Sequence, residues 1–132
     1  MAISLDKAFG LHANGMVLRA KRAEIIAGNI ANADTPGYKA KGMDFQKSLA
    51  QASQKSQQGM SRTHEKHFDV RMQVNNGLGY RIPNQTDTGD GNTVDVQVER
   101  NLYMQNTLEY QTSFSFLNGT IKALKKAISG GQ

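Results

Sequence analysis

The short segment His64-Glu65-Lys66-His67 holds the residue types most typical of metal chemistry in this chain. Two histidines three residues apart can bind a transition metal, but this H-x-x-H spacing is not the H-E-x-x-H of zinc peptidases. No third ligand is apparent, and the segment lies in a turn-rich stretch where a histidine is usually solvated or hydrogen-bonded. The sequence therefore predicts a structural role here, with no metal ligand and no cofactor.

A second candidate is the run Asp87–Asn92, which resembles part of a calcium-binding loop. It lacks the regular oxygen positions and the closing glutamate of such loops, so it is better read as a turn before a helix. Gly77-Leu78-Gly79 is too short to cradle a phosphate. No serine, histidine and aspartate are ordered into a triad, and cysteine is absent. Without convergent titratable groups, neither an enzyme nor a small-molecule substrate is predicted.

Composition limits the alternatives further. The 132 residues allow at most one compact domain, and only 38% of them are hydrophobic, which is a thin supply for a large core. The net charge of +5 keeps a helical nucleic-acid-binding module as an alternative, but the basic residues are scattered. Their one short cluster is Lys122, Lys125 and Lys126, which suits the last turns of a helix because cations offset the helix dipole there.

The segment Met1–Lys7 lacks the basic start and the apolar core of a secretory signal. No apolar run approaches the roughly 20 residues that a membrane span needs. Composition alone therefore favours the cytoplasm.

Residues 3–33 are predicted to form one long helix, because apolar residues recur at alternating spacings of four and three. The many alanines in this row would let another helix approach closely. A second row, Leu11, Leu18 and Ile25, widens the apolar surface. The predicted first seam is Phe9, Ala13, Met16, Ala20, Ala23, Ala27 and Ile30.

Residues 93–128 are predicted to form a second long helix with the same spacing. Asn92 or Thr93 can cap it, while Asp95 and Glu99 suit its positive end. The predicted second seam is Tyr103, Thr107, Tyr110, Phe114, Leu117, Ile121, Leu124 and Ile128.

Between the helices, residues 35–92 predict a loop-rich arm. Asp44 can cap a short helix over residues 45–57. Alternation at Phe68–Val74 and again at Gly79–Ile82 predicts short strands, so the arm contains at most one short β-hairpin.

The predicted fold is mainly α, with the two long helices packed antiparallel as a coiled-coil-like hairpin. Segments 1–34 and 93–132 form one inner helical domain, and the arm projects from it. Two helices bury only one stripe each, so other apolar side chains are expected to stay exposed in a monomer and to mark a partner surface. These side chains are Leu11, Leu18, Ile25, Leu102, Leu108 and Phe116.

The first helix ends in a distinctive corner. Pro36 cannot continue a helix, and Pro36-Gly37 suits a type II turn in which glycine supplies a positive φ. Nearby polar side chains can hydrogen-bond the backbone groups freed at the helix end, while Tyr38 packs its ring back and its hydroxyl finds a polar partner. The residues of this corner motif are Asn29, Asn32, Thr35, Pro36, Gly37 and Tyr38.

The corner resembles the signature of the flagellar axial proteins, the bacterial family of rod, hook and hook-associated subunits. In that family a first helix runs into the pattern A-N-x-x-N-x-x-T-x-G-Y, and Gly28 is the departure from it here. With Asp90–Asp95 downstream, the chain looks most like a proximal rod subunit; residues 46–85 match poorly. Another rod or hook subunit is the alternative, although the middle is short for a hook protein. The matching residues are Ala27, Asn29, Ala31, Asn32, Thr35, Gly37 and Tyr38.

The resemblance implies a structural subunit of the proximal rod, whose paired terminal helices form the inner tube of the polymer and transmit torque towards hook and filament. The implied partners are copies of the chain, other proximal rod proteins, the membrane ring with its rod adaptor protein, and the flagellar export apparatus. The implied location is the rod in the periplasmic space, reached through type III export without a cleaved peptide.

Overall fold

The computed structural model describes residues 5–57, 77–83 and 89–130. Helix α1 spans Leu5–Ala31, strand β1 Lys41–Met43, helix α2 Phe45–Gln57, strand β2 Leu78–Tyr80 and helix α3 Val96–Ile128. Long helices at the two ends of the sequence and one small two-stranded sheet confirm the predicted mainly α class. Within the described ranges, no helix is long and apolar enough to cross a membrane.

Helices α1 and α3 pack antiparallel. The rings of His12 and Phe116 lie 6.2 Å apart between centroids. Further along α1, Arg19 and Arg22 both face Glu109, which comes earlier in α3. The contact partners therefore run in opposite directions, as the predicted helical hairpin requires.

The face of α3 that packs against α1 is not the predicted seam. Glu99 and Asn106 are buried, and Leu18 of α1, which was expected to stay exposed, is only 7% exposed. Apolar periodicity missed this face because its buried positions on α3 are polar and are held by hydrogen bonds. The predicted seam side chains that are exposed instead are Ala13, Ala20, Ala27, Tyr103, Thr107, Tyr110, Phe114, Ile121 and Ile128.

Other predicted seam side chains lie at the margin of the contact. Of the residues expected to be exposed, Leu11, Leu108 and Phe116 are exposed, at 57%, 63% and 60% respectively. Whether any seam residue takes part in assembly stays a prediction. The half-buried members of the two seams are Phe9, Met16, Ala23, Ile30, Leu117 and Leu124.

Helix α3 begins at Val96, three residues later than predicted, and its N-cap is Asp95. The Asp95 carboxylate accepts hydrogen bonds from the backbone N–H groups of Gln97, at 2.9 Å, and Val98, at 3.2 Å. The caps predicted from sequence were Asn92 and Thr93, but both side chains bond elsewhere, at the corner.

Helix α2 has the predicted bounds and the predicted cap. The Asp44 carboxylate accepts the Lys47 backbone N–H at 3.1 Å. This bond, helped by the Lys47 charge, lowers the pKa of Asp44 from its ordinary 3.8. The stabilisation is fully present above the ordinary pKa and is lost as the pH falls through the lowered value. The first residue of α2, Phe45, packs under the Arg19 guanidinium of α1, 4.5 Å from its ring centroid.

The sheet joins β1, which follows the corner, to β2, which lies late in the arm. β1 and β2 are antiparallel, with Gly42 opposite Gly79. A strand near residues 79–82 was predicted, and the partner that the structure describes for it is β1. Phe68–Val74 was predicted as another strand. That segment lies outside the described residues, as do His64 and His67.

We expect Asp95→Ala to lower the free energy of unfolding by about 1 kcal/mol, because two N–H groups of α3 lose their acceptor. Urea unfolding followed by circular dichroism measures the change. Asp34→Ala removes an exposed carboxylate that caps no helix, and it serves as the matched control. Equal stabilities for the two variants would contradict the capping assignment.

Candidate functional site

The corner is built on a tight turn from Thr35 to Tyr38. The Tyr38 backbone N–H donates to the Thr35 carbonyl at 3.2 Å and closes the turn. Gly37 has a φ of 73°, the positive value that the sequence predicts. The turn therefore requires glycine for its backbone geometry and not for space, because a Cβ at this position would meet no atom within 4 Å.

Polar side chains of the motif close the end of α1. The Asn32 side chain donates to the Gly28 carbonyl at 2.8 Å, and the Thr35 hydroxyl donates to Asn32 Oδ1 at 3.3 Å. The last carbonyls of a helix have no partner within the helix. The Asn32 side chain supplies a donor at this end of α1, and the Thr35 hydroxyl bonds to that side chain.

Asn29 joins α1 to β1. Its side chain is completely buried. It donates to the Lys41 carbonyl at 2.8 Å and accepts the Lys41 N–H at 3.0 Å, as a neighbouring strand would. The Tyr38 hydroxyl also donates to Asn29 Oδ1, at 3.4 Å, which gives that hydroxyl the polar partner expected from the sequence.

Asn92 was not identified from the sequence as part of the corner. Its side-chain nitrogen lies 3.0, 2.7 and 3.0 Å from the carbonyl oxygens of Asn32, Ala33 and Thr35. Its Oδ1 accepts the Val94 N–H at 2.8 Å, and the residue is 6% exposed. Because an amide nitrogen carries two hydrogens, the three carbonyls share two donors. A residue about sixty positions away thus closes the end of α1.

The chain around Asn92 runs beside the turn. The Gly37 N–H donates to the Asp90 carbonyl at 2.9 Å, and the Thr93 N–H donates to the Tyr38 carbonyl at 3.0 Å. The Thr93 hydroxyl accepts the Ala40 N–H at 2.8 Å. The corner is therefore a joint between two distant segments. In the sequence, the only sign of this joint was the run Asp90-Gly91-Asn92-Thr93. A single sequence does not show which segment that run contacts.

Charged groups strengthen the attachment of the arm. The Arg81 guanidinium pairs with the Glu99 carboxylate, which is 1% exposed, so the end of β2 is tied to the first turns of α3. The second oxygen of Glu99 is buried and has no hydrogen-bond partner among the described residues. At the corner itself, the Lys39 ammonium donates to the Gly91 carbonyl at 2.7 Å.

The other notable feature is the apolar surface of the hairpin. In the described part of the chain, fourteen large hydrophobic side chains are exposed and only four hydrophobic residues are buried. Five exposed side chains follow one side of α3, and we call them the apolar row: Tyr103, Tyr110, Phe114, Ile121 and Ile128. A contiguous surface of this kind is typical of a protein–protein interface.

The described residues hold no cluster of metal-ligating side chains. A cleft of about 390 Å³ lies between the sheet and the helices, lined by Ile25, Leu102, Gly42 and Gly79 among others. Its lining also includes Asp44, Tyr80 and the two arginines Arg22 and Arg81. The features of the structure that indicate a function are the joint at the corner and the apolar surface of the hairpin.

Comparison with known proteins points to one family. The family model described as flagella basal body rod protein matches residues 11–39, which span most of α1 and the corner motif. The chain is similar to the flagellar basal body rod protein FlgB of Aeromonas hydrophila, with 51% identity over the full length of both. FlgB of Escherichia coli is 38% identical, with 99% of each chain covered. FlgB of Cereibacter sphaeroides is 45% identical over 92% of this chain and 93% of its own.

We expect Gly37→Ala to cost about 1–2 kcal/mol of stability and Gly37→Val more, because a positive φ is unfavourable for any residue with a Cβ and β-branching stiffens the backbone further. Gly28→Ala is the control: Gly28 lies inside α1, where an added Cβ meets nothing within 4 Å. That change should stabilise the protein by about 0.5–1 kcal/mol. Chemical unfolding of the three variants gives the comparison, and a Gly37→Val protein as stable as the parent would refute the turn.

We expect Asn92→Asp to destabilise the joint by at least about 1–3 kcal/mol, because an oxygen replaces the nitrogen that faces three carbonyls. The acceptor for Val94 is kept, while the donor is lost and a negative charge is placed against the three carbonyls. Asn118→Asp makes the same substitution at an exposed position of α3. Amide exchange at residues 32–38 should accelerate in Asn92→Asp only; unchanged protection there would contradict the assignment.

Proposed function

Because the chain belongs to the FlgB family of flagellar basal body rod proteins, we propose that it is a structural subunit of the proximal rod that assembles through its terminal helices. The family is one of rod proteins and not of enzymes. The observation that supports assembly is the apolar row of α3, which the chain itself leaves exposed.

The apolar row has the length and the spacing of a helix–helix interface. Tyr103 and Ile128 are 25 residues apart, which corresponds to about 37 Å of helix. The exposed alanines of α1, Ala13, Ala20 and Ala27, offer a row of small side chains on the other helix. A large row on one helix and a small row on the other suit packing between neighbouring subunits. Contacts between unlike surfaces of identical subunits build open helical polymers when the rotation between subunits does not close a ring.

The joint supports a role in transmitting torque. A subunit that carries torque must keep its helices and its arm in a fixed relation under load. Asn29 and Asn92 are buried and bonded to the backbone of other segments, and such directional bonds resist rotation better than apolar contacts do. In this proposal, segments 1–34 and 93–132 form the inner helical domain, and residues 35–92 form an arm on its outside.

The partners follow from the same proposal. They are copies of this chain, other proximal rod proteins, the membrane ring with its adaptor protein, and the export apparatus. The subunit would leave the cytoplasm through that apparatus without a cleaved signal peptide and act in the periplasmic space. Imaging of purified basal bodies with a tagged subunit tests the placement; a tag located outside the rod would refute it.

We expect Ala20→Leu to leave the unfolding midpoint of the isolated chain nearly unchanged, since Ala20 is exposed there. In the polymer the larger side chain would overpack each contact by about 1–3 kcal/mol, so rods and swimming should be lost. Ala50→Leu makes the same change at an exposed alanine of α2 and should assemble better. Motility on soft agar and the yield of basal bodies measure the effect. Normal rods with Ala20→Leu would show that this face looks to solvent.

A further inference from the structure

Helix α3 packs against α1 with the less apolar of its two faces. The inward face contains Glu99, Asn106 and Ser113, whereas the apolar row is exposed. Members of the apolar row lie about 40–100° around the helix axis from the inward residues: Tyr110 is four residues after Asn106, and Phe114 is one residue after Ser113. Hydrophobic burial alone would favour the opposite arrangement, with the apolar row turned towards α1. Some interaction must therefore select the polar face.

Arg19 of α1 makes more contacts with the polar face than any other side chain whose bonds are described above. Its guanidinium pairs with Glu109 and donates to the Ser113 hydroxyl at 3.2 Å. Its backbone carbonyl accepts the side-chain N–H of Asn106 at 2.9 Å. These three partners lie three and four residues apart, so they share one side of α3.

The same guanidinium is fixed in place by other groups. It stacks on the ring of Phe45, 4.5 Å from the centroid, and its side chain is 16% exposed. The second oxygen of Glu109 accepts from the Gln105 side chain at 3.0 Å, so both of its carboxylate oxygens are used. A planar guanidinium held in this way is selective about where its partners lie.

We propose that Arg19 is a positioning residue that selects which face of α3 packs against α1 and so keeps the apolar row outward. If α3 turned by about 40–100°, Glu109 and Ser113 would leave the guanidinium, and Asn106 would lose its only described hydrogen bond. A partly buried arginine and a buried amide would then lack partners, which is costly. The step in which neighbouring subunits cover the outward row rests on the proposed function.

The exposed face of α3 can be identified by labelling single introduced cysteines, because the chain contains no cysteine of its own. A single cysteine replaces Thr107, which is exposed between members of the apolar row, or Thr120, which is half-buried one heptad beyond Ser113. The rate of maleimide labelling of each full-length free chain reports which face is accessible. Without other changes, Thr107→Cys should react about tenfold faster than Thr120→Cys.

Adding Arg19→Leu should reduce this ratio about tenfold or invert it, because Glu109 loses its partner and α1 gains apolar surface. Arg19→Lys keeps the charge but loses the planar guanidinium with its several N–H donors, so its labelling ratio should fall between those of the parent and Arg19→Leu. Arg100→Leu is the matched control, since Arg100 is exposed on α3, and its ratio should equal that of the parent. Helix content by circular dichroism should be retained in all of them.

An unchanged labelling ratio in Arg19→Leu would overturn the proposal, as would a parent chain whose two thiols react equally. A loss of helix content in Arg19→Leu would also overturn it, because Arg19 would then hold the hairpin together without choosing a face. The assembly claim is judged separately by motility. An inverted ratio with intact rods would leave the face selection standing and would refute the use of the apolar row in the rod.

Discussion

The structure depends on an interior that is held mainly by hydrogen bonds and ion pairs. Among the described residues, five polar or charged side chains are buried, against four hydrophobic ones. Buried polar groups add little net stability, but they are expensive to leave unpaired, so they restrict the chain to arrangements that pair most of them. In the part of the chain that the structure describes, Glu99 Oε2 and Asn106 Oδ1 are the buried side-chain oxygens left without a partner. The apolar side chains that would normally supply stability are mostly on the surface. The contacts within the chain thus define one arrangement of its helices and strands but stabilise that arrangement only weakly.

The joint shows how this constraint organises the whole molecule. Asn29 and Asn92 lie about sixty residues apart in the sequence, and each satisfies backbone groups of another segment. Asn29 fixes the strand that leaves the corner, and that strand holds β2. Arg81, at the end of β2, then pairs with Glu99 at the start of α3. Helix α1, the two strands and α3 are therefore linked in series by hydrogen bonds and an ion pair.

The sequence predicted what local physics controls. The two long helices, the short helix capped by Asp44 and the positive φ of Gly37 follow from periodicity and from the properties of single residues. It did not predict which face of α3 is buried, because heptad analysis assumes that the most apolar row packs inward. It also missed Asn92, whose role depends on carbonyl groups about sixty residues away. Long-range polar pairing leaves no periodic trace in one sequence, so the strand partner of β2 was missed for the same reason.

A polar interior and an apolar exterior are a coherent combination for a subunit that polymerises. If the apolar row were buried within the chain, the monomer would gain stability but would offer its neighbours a polar surface with little to bury. With the row outward, hydrophobic burial is available only on assembly, and stability then rises with subunit concentration through mass action. In the proposed rod subunit, the polar contacts would keep the row outward until a neighbouring subunit covers it. If the chain assembles as proposed, the free energy that most small domains use to fold would thus be available for joining subunits together.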